Sequence, residues 1–475
     1  VAEQASCDSH RDASWRAKRN NPDGSRELRR ELRARSTSRN DGAGAIVLGS
    51  GAVRSSLAID NLRAIVILLV LAFHSVLAYL SFLPPHPFAF DAAPFEWRSF
   101  PIVDAQRWVG FDLFCAWLDV YLMSFFFLLS GLFVWPSLVR KGAGIFIRDR
   151  ILRLGLPFAF VALILMPLAH YPVYLETASD PGIAAYWHHW LALPLWPSGP
   201  AWFLWLLLTG DVAAAAIFQM MAARHHRVMR LSADICRRPL PSLAVFAIAG
   251  ALAYLPLALA FGPFAWCQWG PFPLQLSRPV HYALYFAAGI VSGACGLERG
   301  LLATDGPLAR RWLALVLAAV ALFALWLGVT ALTLRGPQAA SLGLRTAAGL
   351  SFVLACLANC LGALALTLRF GRVRSRWLHS LKANAYGMFL IHYVFIVWLQ
   401  FALLGVAWPA ILKAAIVFLG TVMLSWRATA ALGGVPAIAD VIGNRRPAGS
   451  TPRRSGDPAR LAPYPSAGSQ KRRPG

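Results

Sequence analysis

Charge is the scarcest feature of this chain. Only 14% of its 475 residues are Asp, Glu, Lys or Arg, whereas soluble domains carry about 25%. That scarcity excludes a large water-soluble domain. Paired cysteines are lacking too. Seven cysteines lie scattered at 7, 115, 236, 267, 295, 356 and 360, with no CxxC and no Cys/His cluster. A disulfide framework or zinc site is therefore not expected, nor is any other metal. Cys356 and Cys360, one helical turn apart in an apolar segment, read as small buried residues. No G-x-S-x-G elbow occurs around Ser130. The Gly-rich stretch 42–52 lacks the Lys-Ser/Thr of a phosphate loop. No segment alternates polar and apolar residues between hairpin turns, which argues against a β-barrel.

What the chain has is apolar surface. Hydrophobic residues make up 57%, with 18 Trp and 29 Phe, and the mean hydropathy is +0.54. The formal charge of +23 sits largely in two tails and in short loops. That is a membrane pattern, and no nucleic-acid partner is expected.

Ten segments are long enough to span a bilayer, for which about 20 residues are needed. They are 60–83, 111–135, 151–170, 201–222, 242–261, 281–297, 312–334, 344–368, 384–404 and 408–427. The sixth is short and contains Gly, so its edges are the least defined. The expected fold is all-α, a polytopic membrane helical bundle of about ten transmembrane helices. Loops 136–150, 223–241, 298–311 and 369–382 together hold 17 Lys and Arg, and the alternate loops hold 4. The positive-inside rule makes the first set cytoplasmic, with both termini. Residues 1–56 and 431–475 are basic and poor in aliphatics, and read as disordered tails around a membrane domain at 57–430. The first tail has no h-region or cleavage site, so it is not read as a signal peptide; it reads equally as an over-extended start. The loops 84–110 and 171–200 are rich in Pro and Trp. They read either as caps near an outward-facing cavity or as interfacial aromatic belts.

Ionisable groups inside a membrane are costly and mark candidate sites. The first span contains "RAIVILLVLAFH", with Arg63 and His74 eleven residues apart. Eleven residues overshoot three helical turns by only ~20°, so the two share a face, with Asp60 close to it. His74 lies ~16 Å deeper than Arg63, near mid-bilayer. Alone, Arg63 reads as a residue snorkelling to headgroups and His74 as one satisfied by a neighbouring helix. Together they read as one cavity wall in which a neutral imidazole serves as a base. Arg148, Arg150 and Arg153 in "FIRDRILRLG" cluster where the second cytoplasmic loop enters the third span. They fit a positive-inside anchor and a phosphate site equally well. Asp119 and Asp211 are acids within spans that either orient a reacting group or pair with an arginine. His281 and His392 are further histidines in spans, for which core packing is the favoured reading.

Taken together these residues resemble the acyltransferase-three family of bacterial polytopic membrane O-acyltransferases. "DNLRAIVILLVLAFH" looks like its Arg-x10-His signature. "FFFLLSGLFVWPSLVRKGAGIFIRDRILRLGLP" resembles its second and third helices, including an Arg-x-Arg motif at Arg148 and Arg150. "GPAWFLWLLL" and "YGMFLIHYVFIVW" resemble two further stretches. The resemblance covers roughly residues 57–427 and is nearest the branch whose glucan biosynthesis protein adds succinyl groups to periplasmic glucans. It implies transfer of an acyl group from cytoplasmic acyl-CoA, such as acetyl-CoA or succinyl-CoA, to a hydroxyl of a glycan or small molecule. It also implies the inner membrane of a bacterium. His74 would be the essential histidine and Arg63 its partner, with Asp119 orienting acceptor or imidazole. Arg148 and Arg150, with the adjoining Arg153, would sit near the CoA phosphates. A transporter or flippase is the alternative, but no internal repeat supports it.

Overall fold

An apolar run in lipid must satisfy its own backbone, and the α-helix does so within one segment. In the computed structural model the described residues are 57–221, 225–296, 302–335, 340–435 and 439. The expected tails lie outside them, apart from 431–435 and 439. The helices in chain order are α1 (Leu57–Val76), α2 (Val109–Gly131) and α3 (Val134–Lys141). The third span, α4, runs through Ala143–Thr177. There follow α5 (Ile183–Ala192), α6 (Trp202–Met220), α7 (His225–Arg237) and α8 (Pro239–Phe261). The last five are α9 (Pro279–Ala294), α10 (Trp312–Thr333), α11 (Leu342–Phe370), α12 (Arg376–Ala402) and α13 (Ala410–Leu432).

Nine helices among the described residues are long and apolar enough to cross a membrane. Together with the near absence of sheet, they make this an all-α integral membrane protein. All ten predicted segments are helical, but the sixth, α9, has only 16 residues. At ~1.5 Å per residue it reaches about 24 Å, less than a ~30 Å hydrocarbon core. Strand structure was not expected, yet Trp266–Trp269 (β1) and Phe272–Gln275 (β2) form an antiparallel hairpin. Its turn, Gly270-Pro271, supplies the positive φ of 54° that a two-residue hairpin requires.

Burial separates central helices from peripheral ones. Within α11, 67% of the apolar window is buried, against 11% in α10, which packs chiefly along α11 and turns Leu313, Leu317 and Val320 outward. The first helix is central: it packs on α12, α13, α11 and α2. Its start is tied down by Asn61 Nδ2, which donates to the carbonyls of Gly371 (2.7 Å) and Val373 (2.9 Å). Glycine sets the seat of α9. A Cβ at Gly289 would collide with the Leu128 carbonyl, one at Gly293 with that of Leu132, and one at Gly131 with that of Phe286. These residues let two backbones touch where lipid offers no hydrophobic drive for association. Gly131 therefore serves the close approach of α2 to α9.

The two long Trp-rich loops bury one tryptophan each and leave Trp108 and Trp187 exposed. Trp97 and Trp190 are fully buried, Phe90 stacks on Trp97 at 5.0 Å, and Trp97 meets His170 at 5.2 Å. A buried ion pair, Lys413 Nζ to Asp104 Oδ2 at 2.6 Å, ties the first loop to α13. The Asp104 amide donates to the carbonyl of Ala78, just beyond α1.

Candidate active site

His74 lies two residues before the end of α1, half-buried, facing α12. Its Nδ1 is 2.9 Å from the carbonyl of Val70, one turn earlier. A carbonyl only accepts, so Nδ1 carries the hydrogen and Nε2 of the neutral ring carries the lone pair. The ring centroid lies 5.2 Å from that of His392 and 5.6 Å from that of Tyr393. Gln400, further along α12, donates to the carbonyls of His74 (3.1 Å) and Ser75 (3.2 Å). The helix end that carries the imidazole is thus held by a side chain of α12.

Close to this ring lies a narrow crevice lined by Val161, Met166, Pro200, Ala201, Phe389, Leu390, His392 and Tyr393. Val161 opens a π-helical turn, Val161–Leu165, and a second occupies Ile151–Gly155. Such turns carry an extra residue per turn and are frequent at functional sites. One borders the crevice. The other follows directly on Arg150.

The arginines divide into two sets. Arg150 turns inward: its Nε lies 3.3 Å from Asp211 Oδ2, whose side chain is buried, and its guanidinium lies over Phe146 at 4.8 Å. Arg148 and Arg153 are exposed and form no ion pair with described residues. At ~100° per residue Arg148 projects ~200° away from Arg150, so "RDR" cannot present both guanidinium groups to one point. Arg63 is exposed, lies over the Phe133 ring at 5.2 Å, and feels the charges of both Asp60 and Arg150. Arg63 and Arg150, from different spans, therefore lie within electrostatic reach of each other. Arg148 and Arg153 flank Asp149, which is paired with Lys141. The exposed guanidinium groups suit an anionic phosphate, which accepts from such forks bidentately.

Asp119 is not brought to His74. Its carboxylate receives Arg278 Nη1 at 2.9 Å and Nη2 at 2.5 Å, and Nη1 also donates to the Asp119 carbonyl at 2.9 Å. Arg278 is buried, over the Phe352 ring at 5.0 Å. This is the pairing alternative for an acid within a span. His281 belongs to the same region, 3.4 Å from Ser124 Oγ and away from His74, whereas His392 is at His74. Among the described residues no three His, Cys, Asp or Glu come together to hold a metal.

Sequence reasoning missed Arg278, Gln400, Lys413 and His170. His170 is fully buried, and its ring lies 5.9 Å from Tyr393. The rule that singled out His74 applies to it equally, because it too lies within a span. Gln400 carries no charge, and no local signal distinguishes it.

Comparison with known proteins settles the class. A family model described as an acyltransferase domain, that of the acyltransferase-three family, matches residues 56–430. The chain belongs to the acyltransferase-three family. The match takes in the eight spans from α1 to α12 and most of the ninth, α13, together with every site residue above, and makes the protein a membrane acyltransferase. No curated protein and no solved structure matches the chain.

Proposed function

We propose that this membrane acyltransferase moves an acyl group, acetyl or succinyl, from acyl-CoA to a hydroxyl of a glycan or another envelope or exported acceptor. The observation that carries the mechanism is the hydrogen bond from His74 Nδ1 to Val70. It fixes the neutral tautomer and leaves the Nε2 lone pair as a base beside a crevice. Nε2 takes the proton of the acceptor hydroxyl while its oxygen attacks the thioester carbonyl. The carbon–sulfur bond then breaks, and the same proton passes to the departing CoA thiolate. Atoms and charge balance without a metal or covalent enzyme intermediate.

Arg148 and Arg153 hold the CoA phosphates in this scheme, with Arg63 and Arg150 set further inward along the path to the imidazole. Asp211 keeps Arg150 oriented, and Asp119 acts through the fold by holding Arg278. The 17-to-4 split of basic residues between alternate loops supports a cytoplasmic side for the arginines and both termini in the cytoplasm. That topology needs α9 to complete a crossing, and its glycine seat along α2 supports this. The all-α membrane domain and its family suit the inner membrane of a bacterium.

The test is release of CoA thiol by membranes given acetyl-CoA or succinyl-CoA and an envelope glycan fraction. Loss of a general base costs roughly 10²–10⁴-fold. His74→Ala should therefore lose at least about a hundredfold in thiol release. Full activity in that variant would sink the mechanism, and flux of an acceptor without CoA release would point to transport instead.

A further inference from the structure

A second imidazole, that of His392, stands beside His74 and lines the crevice. His392 is fully buried, and its Nδ1 lies 2.6 Å from the Phe389 carbonyl. Its Nε2 therefore carries a lone pair, as in His74, and has no hydrogen-bond partner among the described residues. A buried acceptor left unmade is costly, and native structures rarely tolerate one without a reason. His392 lines the crevice, so a ligand that enters by parting its walls meets this ring. Ser198, close to the lining residues Pro200 and Ala201, is also fully buried with its Oγ unpartnered. An unmet acceptor on one wall and an unmet hydroxyl near another suit a ligand group that both donates and accepts. A hydroxyl does both.

The ring centroids of His74 and His392 are 5.2 Å apart. Rings this close are within reach of two oxygens of one small molecule, such as those on adjacent or next-adjacent carbons. We propose that His392 is a specificity-determining, substrate-contacting residue: its Nε2 accepts a hydrogen bond from a second hydroxyl of the acceptor, neighbouring the one that His74 deprotonates. The enzyme then selects 1,2- or 1,3-diols over single alcohols. This rests on the acyl-transfer reading above.

Glycerol and propan-1-ol share a carbon chain and differ in the neighbouring hydroxyls, which makes them the probes. The purified full-length protein in lipid nanodiscs is given acetyl-CoA and either alcohol, and thiol release yields kcat/KM for each. Wild type should favour glycerol by roughly tenfold, the size of one lost hydrogen bond with its buried partner left unpaired. His392→Phe should erase that preference by lowering the glycerol rate alone, and His392→Gln, which keeps an acceptor oxygen, should restore part of it. A preference that survives His392→Phe overturns the assignment, as does an equal fall for both alcohols.

A second measurement needs no turnover. In ¹⁵N-histidine-labelled His74→Ala protein, the His392 resonances are identified by their loss in the His74→Ala/His392→Phe double variant. Glycerol should shift the Nε2 signal upfield as the lone pair accepts a hydrogen. A signal that is already upfield without glycerol, or that glycerol does not move, overturns the proposal. If glycerol moves it while wild type releases no thiol with any acceptor, the binding assignment stands and the acyl-transfer reading falls.

Discussion

Replacing Asp119 by Asn tests whether this acid belongs to the chemistry or to the fold. Arg278 is 2% exposed and makes three hydrogen bonds to Asp119, two of them to the carboxylate. Removing one member of a buried pair leaves the other charge uncompensated, typically at a cost of about 3–5 kcal/mol. The Asp119 side chain is 38% exposed, so the pair is partly screened and the lower figure, about 3 kcal/mol, applies. Asn keeps one side-chain acceptor for Nη1, worth about 1 kcal/mol. Asp119→Asn should therefore destabilise by roughly 2 kcal/mol and Asp119→Leu by about 3 kcal/mol. Asp119→Leu combined with Arg278→Met should recover most of the loss, because no charge is then left in apolar surroundings. The assay is equilibrium unfolding in mixed SDS micelles, with thiol release measured per folded molecule. Asp119→Asn should keep near wild-type turnover once corrected for folded protein. A variant of wild-type stability whose turnover collapses like that of His74→Ala would refute the structural role and put Asp119 in the reaction.

Other perturbations follow from the same contacts. Lys413→Met strands the fully buried Asp104 and should cost about 3–5 kcal/mol in the same unfolding assay; an unchanged midpoint would mean that the first loop is held by its aromatic packing alone. Gly289→Leu drives a side chain into the Leu128 carbonyl and should abolish folded protein on gel filtration, while Gly289→Ala should cost about 1–3 kcal/mol. Gln400→Leu removes two donors from the end of α1. It should lower kcat by roughly tenfold with little change in donor KM, since misplacing a base slows the chemical step. Arg150→Ala should raise donor KM; Asp211→Asn should act in the same direction more weakly, and equal kcat and KM for both variants would remove Arg150 from the donor path.

The helices were legible because lipid imposes a requirement each segment meets alone: a long apolar stretch with its backbone satisfied internally. The ten predicted segments are all helical for that reason. The shortness of α9 was hinted at by its glycines, but the reason for those glycines lies on α2. The hairpin at 266–275 escaped notice because its four-residue strands are too short to show a period.

Within the site, the sequence by itself determined that His74 and Arg63 stand at two depths of one helix. Rise and turn per residue are local properties. It also exposed the cost of each ionisable group in a span, which marked Asp119, Asp211 and the arginines before any contact was known. Partner choice was decided only by tertiary structure. Asp119 meets Arg278, Arg150 meets Asp211, and Lys413 meets Asp104 across separations in sequence that no periodicity links. Tertiary structure also brought His392 and Gln400 to His74, because α12 returns beside α1. A charge in a membrane must find a partner, and its own helix states the need without naming which neighbour will meet it.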